Sequence, residues 1–133
     1  MKGIADTGFV VAFLNRADVH HKWAFGLAEQ VSEPLLTCDA VLAEASFHLR
    51  NCGLVLDLVE EGLLFPAFNI GENVVQLREL ARRYKDRSPD LADLCLIRLS
   101  ELNPRHSVIT VDVEDFKVYR RNRRESIPLL VPQ

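Results

Sequence analysis

The chain has 133 residues, of which 48% are hydrophobic and 26% are charged, and its formal net charge is −3 at pH 7. This length and composition are typical of an ordinary soluble globular protein, so we expect a single domain over residues 1–133. The longest unbroken apolar run, residues 9–14, is too short to cross a membrane, and the acidic net charge excludes a global basic field that would attract nucleic acid.

Short apolar stretches alternate with helical patterns through the first half of the chain. Strands are predicted over 2–5, 34–36 and 63–68, and Pro66 puts the last of them at a sheet edge or bulge. Helices are predicted over 7–14, over 20–31, from a cap at Thr37 to about Arg50, and over 53–61, where Gly62 ends the helix.

The second half continues the same alternation. An amphipathic helix over 72–85 is predicted to turn its apolar residues inward, namely Val74, Leu77, Leu80, Ala81 and Tyr84. Ser88 as the N-cap and Pro89 at the first helical position predict the next helix, which runs to about Leu102. Strands over 108–111 and 127–131 complete an α/β pattern, which predicts a parallel sheet with helices on both faces.

Several acids follow predicted strands or interrupt apolar helical patterns. Asp6 and Asp112 each stand just past the C-terminal end of a strand, so both are expected at the sheet edge where α/β proteins form their sites. Asp6 is also explained by capping the helix that begins at Thr7. Glu44 lies at the border of the apolar stripe of its helix, where a solvated side chain is the common explanation.

The next acids differ in how well capping explains them. Asp93 lies past the first turn of its helix in an apolar run, so we assign it as a metal ligand, whereas Asp90 suits the helix dipole and is assigned a supporting role. Asp112 is favoured over Asp115 as the fourth acid because strand-end side chains point into the crevice, although Asp115 remains a candidate. Four convergent carboxylates suit a hard cation such as Mg²⁺ or Mn²⁺.

Basic residues and cysteines give weaker information. One basic group, which can bind a polyanion if it flanks the acids, consists of Lys117, Arg120, Arg121, Arg123 and Arg124. The second basic group consists of Arg82, Arg83, Lys85 and Arg87. A solvated surface explains this group as well as polyanion binding does. Cys38, Cys52 and Cys95 are odd in number and lack metal-binding spacing, and Met1-Lys2 leads directly into a strand pattern, so we expect reduced thiols and a cytoplasmic protein.

These residues together resemble the PIN-domain ribonucleases, and specifically the VapC-type toxins of toxin–antitoxin pairs. The most specific match is Asp86-Arg87-Ser88-Pro89-Asp90-Leu91-Ala92-Asp93, followed by Ile109-Thr110-Val111-Asp112 and Asp115-Phe116-Lys117-Val118-Tyr119-Arg120. The four acids of the family fall on Asp6, Glu44, Asp93 and Asp112. Many such toxins have Asn at the last of these positions, so Asp112 is a departure that leaves the role of Asp115 open.

The resemblance implies a three-layer α/β/α fold with a short, mostly parallel sheet, and a metal-dependent endoribonuclease that cleaves single-stranded RNA regions by metal-activated water. Its catalytic and metal-binding residues would be the four matched acids, with Asp6 and Asp93 as the first choice of direct ligands and one or two Mg²⁺ or Mn²⁺ ions as cofactor. Supporting roles fall to Thr7, Asp90, Thr110 and Asp115, and contact with the RNA backbone falls to the basic group from Lys117 to Arg124.

The resemblance further implies a homodimer and an antitoxin partner. The helices over 7–14 and 20–31 carry Phe9, Phe13 and Trp23, which is more aromatic surface than a small sheet needs, so we expect partner contact there.

Other functions fit less well. A haloacid-dehalogenase-type phosphatase needs a second Asp two residues after the first, which Asp6-Thr7-Gly8 does not supply, and a receiver domain needs an acidic pair at the first strand. A histidine-based ribonuclease is disfavoured because no histidine stands at a predicted strand end beside the acids. The remaining alternative is a non-catalytic PIN module that binds RNA or a protein partner.

Overall fold

The computed structural model describes the whole chain from Met1 to Gln133. Its strands are β1 (Gly3–Ala5), β2 (Leu35–Thr37), β3 (Leu64–Pro66), β4 (Ser107–Ile109), β5 (Arg120–Arg121), β6 (Glu125–Ser126) and β7 (Leu129–Leu130). Its α-helices are α1 (Thr7–Leu14), α2 (His21–Ala28), α3 (Asp39–Leu49), α4 (Cys52–Glu60), α5 (Val74–Arg83), α6 (Leu91–Leu102) and α7 (Val113–Val118). Single 3₁₀ turns over Gly71–Asn73 and Lys85–Arg87 flank α5.

Five parallel strands form the central sheet in the order β3-β2-β1-β4-β7, and β5 and β6 form a separate antiparallel hairpin. Ile4 of β1 pairs with Leu36 on one side and Val108 on the other. The chain moves outward from β1 to β3, then crosses to β4 and continues outward to β7. The order therefore reverses between β1 and β4, and the carboxyl ends of these two strands flank the position where α/β folds bind ligands.

Helices cover both faces of this sheet. α1 packs against α2 and α3, α3 packs against α4, and α5 packs against α6. Because crossover connections between parallel strands are right-handed, the reversal after β3 places α5, α6 and α7 on the face opposite to α1–α4. The predicted α/β fold with a parallel central sheet is confirmed.

The core is built from the central strands and α6. Ile4, Ala5, Val108 and Ile109 are fully buried, as continuous apolar strands in a doubly covered sheet must be. Most of α6 is also buried, comprising Ala92, Asp93, Leu94, Cys95, Leu96, Ile97, Leu99 and Ser100. Asp93 is the one acid among these buried residues, and its place in α6 brings a carboxylate to the sheet edge described below. No helix of this chain combines the length and apolar character that crossing a bilayer requires.

The start of α6 differs from the prediction. Ser88 has a left-handed backbone (φ 48°), and Asp90 is the N-cap, since its Oδ1 accepts from the backbone N–H of Asp93 at 2.8 Å. The cap lies two residues later than expected because the carboxylate of Asp90, directly before the first helical residue, reaches the third N–H of the helix. Asp90 is therefore the cap and not the second helical residue, and Asp93 lies in the first turn of α6, not past that turn as predicted.

Three smaller predictions are also wrong. Thr37 ends β2 instead of capping α3; its buried hydroxyl needs an acceptor and donates to the carbonyl of Ala5 at 2.9 Å. Val74 is exposed because it begins α5 at the surface, whereas Leu77 and Leu80 point inward as predicted. Phe9 is fully buried against Trp23, so it does not contribute to a partner surface.

Candidate metal centre

A cleft of about 430 Å³ opens at the switch point between β1 and β4. It is lined by residues from the ends of both strands, from α1, α3 and α6, and from the loop after α1, including Asp6, Thr7, Asp18, Glu44, His48, Asp90, Asp93 and Asp112. The four acids singled out from the sequence therefore lie around one cavity. They come together because parallel strands end at the same sheet edge and the helices that follow begin there.

Asp6 links the two strands that flank the cleft. Its Oδ1 accepts from the backbone N–H of Thr7 at 2.7 Å, and its Oδ2 accepts from the hydroxyl of Thr110 at 2.6 Å. The hydroxyl of Thr110 in turn accepts from the backbone N–H of Asp112 at 2.9 Å. Asp6 thus caps α1, as the simple explanation held, and is also held in the cleft by the end of β4.

Gly8 permits the close approach of these segments. A Cβ atom at this position would overlap Cγ2 of Val111, so only glycine lets the first turn of α1 lie against the chain that leaves β4. Next to it, the hydroxyl of Thr7 donates to Oε1 of Glu44 at 2.7 Å, which draws that carboxylate from α3 toward the cleft.

Asp93 has two hydrogen-bonding partners. Its backbone N–H is bound by Asp90, and its Oδ2 accepts from the phenol of Tyr119 at 2.8 Å. Tyr119 is 1% exposed and Asp93 is 9% exposed, so the bond lies inside the protein. The third predicted acid is therefore anchored at both its backbone and its side chain.

Three carboxylates approach one another more closely than the rest. One oxygen each of Asp93, Asp112 and Asp115 lies within 4.8 Å of the others. Asp112 caps α7, with its Oδ1 accepting from the backbone N–H of Asp115 at 3.3 Å, and Asp115 accepts from Nη2 of Arg87 at 2.7 Å. Asp6 and Glu44 lie outside this closest group. Because Asp112 and Asp115 both belong to it, the structure does not favour one of them over the other as the fourth acid.

Burial and the mutual repulsion of these acids raise their pKa values. The pKa of Asp6 is raised to about 6, mainly by burial. The hydrogen bonds from Thr110 and Thr7 lower this pKa, and the charges of Asp112 and Glu44 raise it further. Burial also raises the pKa of Asp93 to about 7, opposed by the Tyr119 bond and reinforced by Asp90, Asp6 and Asp112. The pKa of Asp112 is raised by burial and by the charge of Asp115.

This donor set suits a hard divalent cation. Ligand atoms on opposite sides of a Mg²⁺ ion are about 4.2 Å apart, twice the bond length of about 2.1 Å, so a group within 4.8 Å needs only small adjustments to share one ion. Burial and the charges of neighbouring acids raise the pKa values of these carboxyl groups, and their hydrogen bonds offset this only in part. A divalent cation would supply positive charge among these acids, so the residues present fit the metal that the resemblance implies.

The basic residues are distributed differently from the prediction. Arg121 is buried and donates to the carbonyl and hydroxyl of Ser100, the carbonyl of Pro104 and the carboxylate of Glu125, so the prediction that it contacts RNA is wrong. These hydrogen bonds keep the Arg121 side chain buried, and they connect the β5–β6 hairpin to the C-terminal end of α6. Nη1 of Arg120 donates to the carbonyls of Lys117 and Tyr119 near the C-terminus of α7.

Arg123 lies away from the acids. Arg123 shares a surface depression with Arg82 and Arg83 of α5, beside the C-terminal end of α6. Asp93 lies at the opposite end of α6, about 12 Å by helical rise from Glu101, which lines that depression. Lys117 and Arg124 are exposed.

Four residues of the site were not assigned from the sequence. Tyr119 bonds Asp93, which is 26 positions away in the sequence, and Arg87 bonds Asp115, which is 28 positions away. No local sequence pattern reveals such distant pairs. Asp18 lies in the loop between α1 and α2 and carries no signal. His48 did carry one, because it follows Glu44 by four residues and so shares its helix face.

The PIN domain family model matches residues 4–122 of the chain. This range includes every acid of the cleft, together with Thr110, Arg87 and Tyr119. No curated protein matches the sequence.

Proposed function

The chain belongs to the PIN-domain family, and from that premise we propose that it is a Mg²⁺- or Mn²⁺-dependent endoribonuclease acting on single-stranded regions of RNA. The observation that carries the proposal is the group of three carboxylates within 4.8 Å at the switch point of the sheet, with Asp6 and Glu44 in the same cleft. We take residues 1–133 as a single PIN-like domain.

In this proposal Asp93, Asp112 and Asp115 hold the ion, and Asp6 and Glu44 bind it directly or orient its water ligands. A bound divalent ion would polarise the phosphate and lower the pKa of a water molecule. One or two ions are compatible with a cleft of about 430 Å³ that is lined by Asp6, Glu44, Asp93 and Asp112, with Asp115 beside the last two. Asp90 supports the site by fixing the backbone of Asp93 at 2.8 Å.

The protein's own groups would set the geometry of the reaction. Thr110 orients Asp6, Thr7 orients Glu44, and Tyr119 orients Asp93, each through a hydrogen bond of 2.6–2.8 Å. Such supporting bonds fix the direction of a carboxylate before the cation arrives, which reduces the reorganisation needed on binding.

RNA would be held by positive charge around and beyond the cleft. Exposed Lys117 on α7 is two residues from Asp115, and Arg123 and Arg124 extend the basic surface along the hairpin. Arg120 contributes at most in part, because one of its nitrogens already bonds the end of α7. Contacts of this type go to phosphates, so binding would weaken as salt concentration rises.

We also propose that the protein is a VapC-type toxin, cytoplasmic and homodimeric, with a cognate antitoxin. A stacked aromatic pair supports a partner surface on the first two helices: Phe25 is 51% exposed and stacks on half-buried Phe13, with ring centroids 5.9 Å apart. An upstream reading frame encoding a small protein with a DNA-binding N-terminus would support this role. Light scattering of the purified chain tests the dimer.

The second candidate function is a PIN module that binds RNA or protein without cleaving. The two candidates differ in one assay: incubation of a 5′-labelled single-stranded RNA with the protein in Mg²⁺, in Mn²⁺ and in EDTA. We expect cleavage with either metal and none in EDTA, with 5′-phosphate and 3′-hydroxyl ends from attack of water on phosphorus.

The matched variants are Asp93→Asn, which loses a central carboxylate, and Asp57→Asn, which changes an exposed acid on α4. Asp57→Asn is expected to cleave like the wild type and Asp93→Asn not at all. Cyclic phosphate ends formed in EDTA would instead identify chemistry by a ribose hydroxyl, and RNA binding without cleavage would favour the non-catalytic module.

A further inference from the structure

Arg87 is the only basic side chain in an ion pair with an acid of the candidate metal centre. Its Nη2 lies 2.7 Å from Oδ1 of Asp115, and the five other ion pairs of the molecule lie elsewhere. Asp115 is also one of the three carboxylates within 4.8 Å of one another. The same carboxylate therefore has two competing uses, as the partner of an arginine and as a ligand of a divalent ion.

The backbone keeps Arg87 beside the cleft. Arg87 ends the 3₁₀ turn that follows α5, where its N–H donates to the carbonyl of Tyr84 at 2.9 Å, and Ser88 then takes the left-handed conformation that turns the chain toward α6. Tyr84 packs edge-on against Tyr119, whose hydroxyl holds Asp93. The turn that carries the arginine is thus attached to the structure that positions the acids.

The side chain of Arg87 is nevertheless free to leave. It is 36% exposed, and its hydrogen bond to Asp115 is the only one that its guanidinium makes within the protein. A guanidinium and a divalent cation on the same carboxylate repel each other, so binding of the ion to Asp115 is opposed by the presence of Arg87.

We propose that Arg87 is a resident counter-charge of this centre, which a divalent ion must displace from Asp115 to gain that carboxylate as a ligand. In the metal-free protein the arginine offsets the repulsion among the acids. The proposal rests on the metal centre proposed above, but its test measures metal binding and does not depend on RNA cleavage.

The experiment is a titration with Mn²⁺, in which free ion is measured by electron paramagnetic resonance at neutral pH. Four proteins form a cycle: wild type, Arg87→Gln, Asp115→Asn and the double variant. We expect Arg87→Gln to bind Mn²⁺ about two- to fivefold more tightly, the range that one partly exposed ion pair supplies. Asp115→Asn should bind more weakly, and in that background Arg87→Gln should change the affinity by less than about twofold, because the contested carboxylate is gone.

Lys85→Gln is the matched control. Lys85 lies in the same 3₁₀ turn and is exposed, and it makes no ion pair, so its loss removes one positive charge without freeing an acid. If Arg87 acted only through the general field, Lys85→Gln would tighten Mn²⁺ binding similarly and the effect of Arg87→Gln would persist in the Asp115→Asn background; either result overturns the proposal.

Unchanged or weaker Mn²⁺ binding by Arg87→Gln also overturns it, since the arginine then does not compete. In that case the metal centre itself stands if Asp93→Asn weakens binding while Asp57→Asn does not. A wild-type protein that binds no Mn²⁺ at millimolar concentration would overturn both the competition and the centre.

Discussion

The phenol of Tyr119 donates a hydrogen bond to Oδ2 of Asp93 at 2.8 Å, and neither side chain is open to solvent. The bond joins the residue after α7 to the first turn of α6, which are 26 positions apart. The Tyr119 hydroxyl is the donor to the Asp93 carboxylate. Its hydrogen bond lowers the pKa of Asp93, which burial and the neighbouring acids raise. Tyr119 is therefore a positioning residue for the candidate centre.

Tyr119→Phe should weaken Mn²⁺ binding by about 10- to 100-fold, the usual effect of removing a group that orients a metal ligand. It should also lower the free energy of unfolding by about 1–3 kcal/mol, because a buried carboxylate oxygen loses its donor. Mn²⁺ titration and urea denaturation measure the two effects. Tyr84→Phe is the control, since Tyr84 accepts from the backbone N–H of Arg120 and does not contact the acids; equal Mn²⁺ affinities of the two variants would refute the assignment.

The metal-free protein should lose stability as the pH rises. The pKa values of Asp6 and Asp93 are about 6 and about 7 in the folded protein, above the ordinary value of 3.8. The folded state therefore retains protons that the unfolded chain releases, so the contribution of these groups is complete below about pH 4 and is lost as the pH passes through 6 and 7. Urea denaturation in EDTA should show a decrease on the order of a few kcal/mol between about pH 5 and pH 8.

Asp93→Asn isolates one part of that pH dependence. The variant keeps every histidine but lacks the Asp93 titration, so its stability should decline less steeply with pH, and at pH 8 it should be more stable than the metal-free wild type. Asp57→Asn should follow the wild-type curve. Greater stability of the wild type over Asp93→Asn at pH 8 would show that the ionised Asp93 side chain is not destabilised by burial and by the neighbouring acids.

Thr110→Val tests the link between the two strands that flank the cleft. The hydroxyl of Thr110 donates to Asp6 at 2.6 Å and accepts from the N–H of Asp112 at 2.9 Å, and valine leaves both groups without their partner. We expect a loss of about 1–3 kcal/mol in the free energy of unfolding and weaker Mn²⁺ binding. Thr110→Ser keeps the hydroxyl and should retain most of both, whereas equal losses in the two variants would assign the effect to the methyl group.

Arg121 and Arg123 should behave in opposite ways despite their proximity in the sequence. Arg121→Gln removes bonds to Ser100, Pro104 and Glu125 and should cost about 1–3 kcal/mol of stability. Arg123→Gln changes an exposed hairpin residue and should stay within about 0.5 kcal/mol of the wild type, but weaken RNA binding in a salt-dependent manner. Urea denaturation and filter binding at several salt concentrations separate the two roles; a stable Arg121→Gln with weakened RNA binding would reverse this assignment.

Local patterns predicted most of the architecture. The alternation of short apolar runs with helical periodicity predicted the five strands of the parallel sheet and six of its seven helices nearly in their observed places, because burial on both faces and a 3.6-residue period leave direct marks in the sequence. The short helix α7 was not predicted. The hairpin of β5 and β6 left no such mark, since both strands are two residues long and mostly polar. Its place depends on Arg121, whose buried contacts are made with α6.

By itself, the sequence determined that acids stand at the carboxyl ends of β1 and β4 and near the start of α6, and hence that they share one sheet edge. Only the tertiary structure decided which of them come closest: Asp93, Asp112 and Asp115, with Arg87 and Tyr119 beside them. The physical reason is that strand ends and helix starts obey local rules of period and capping. The distance between two side chains about thirty positions apart depends on how whole helices pack, and local patterns do not record it.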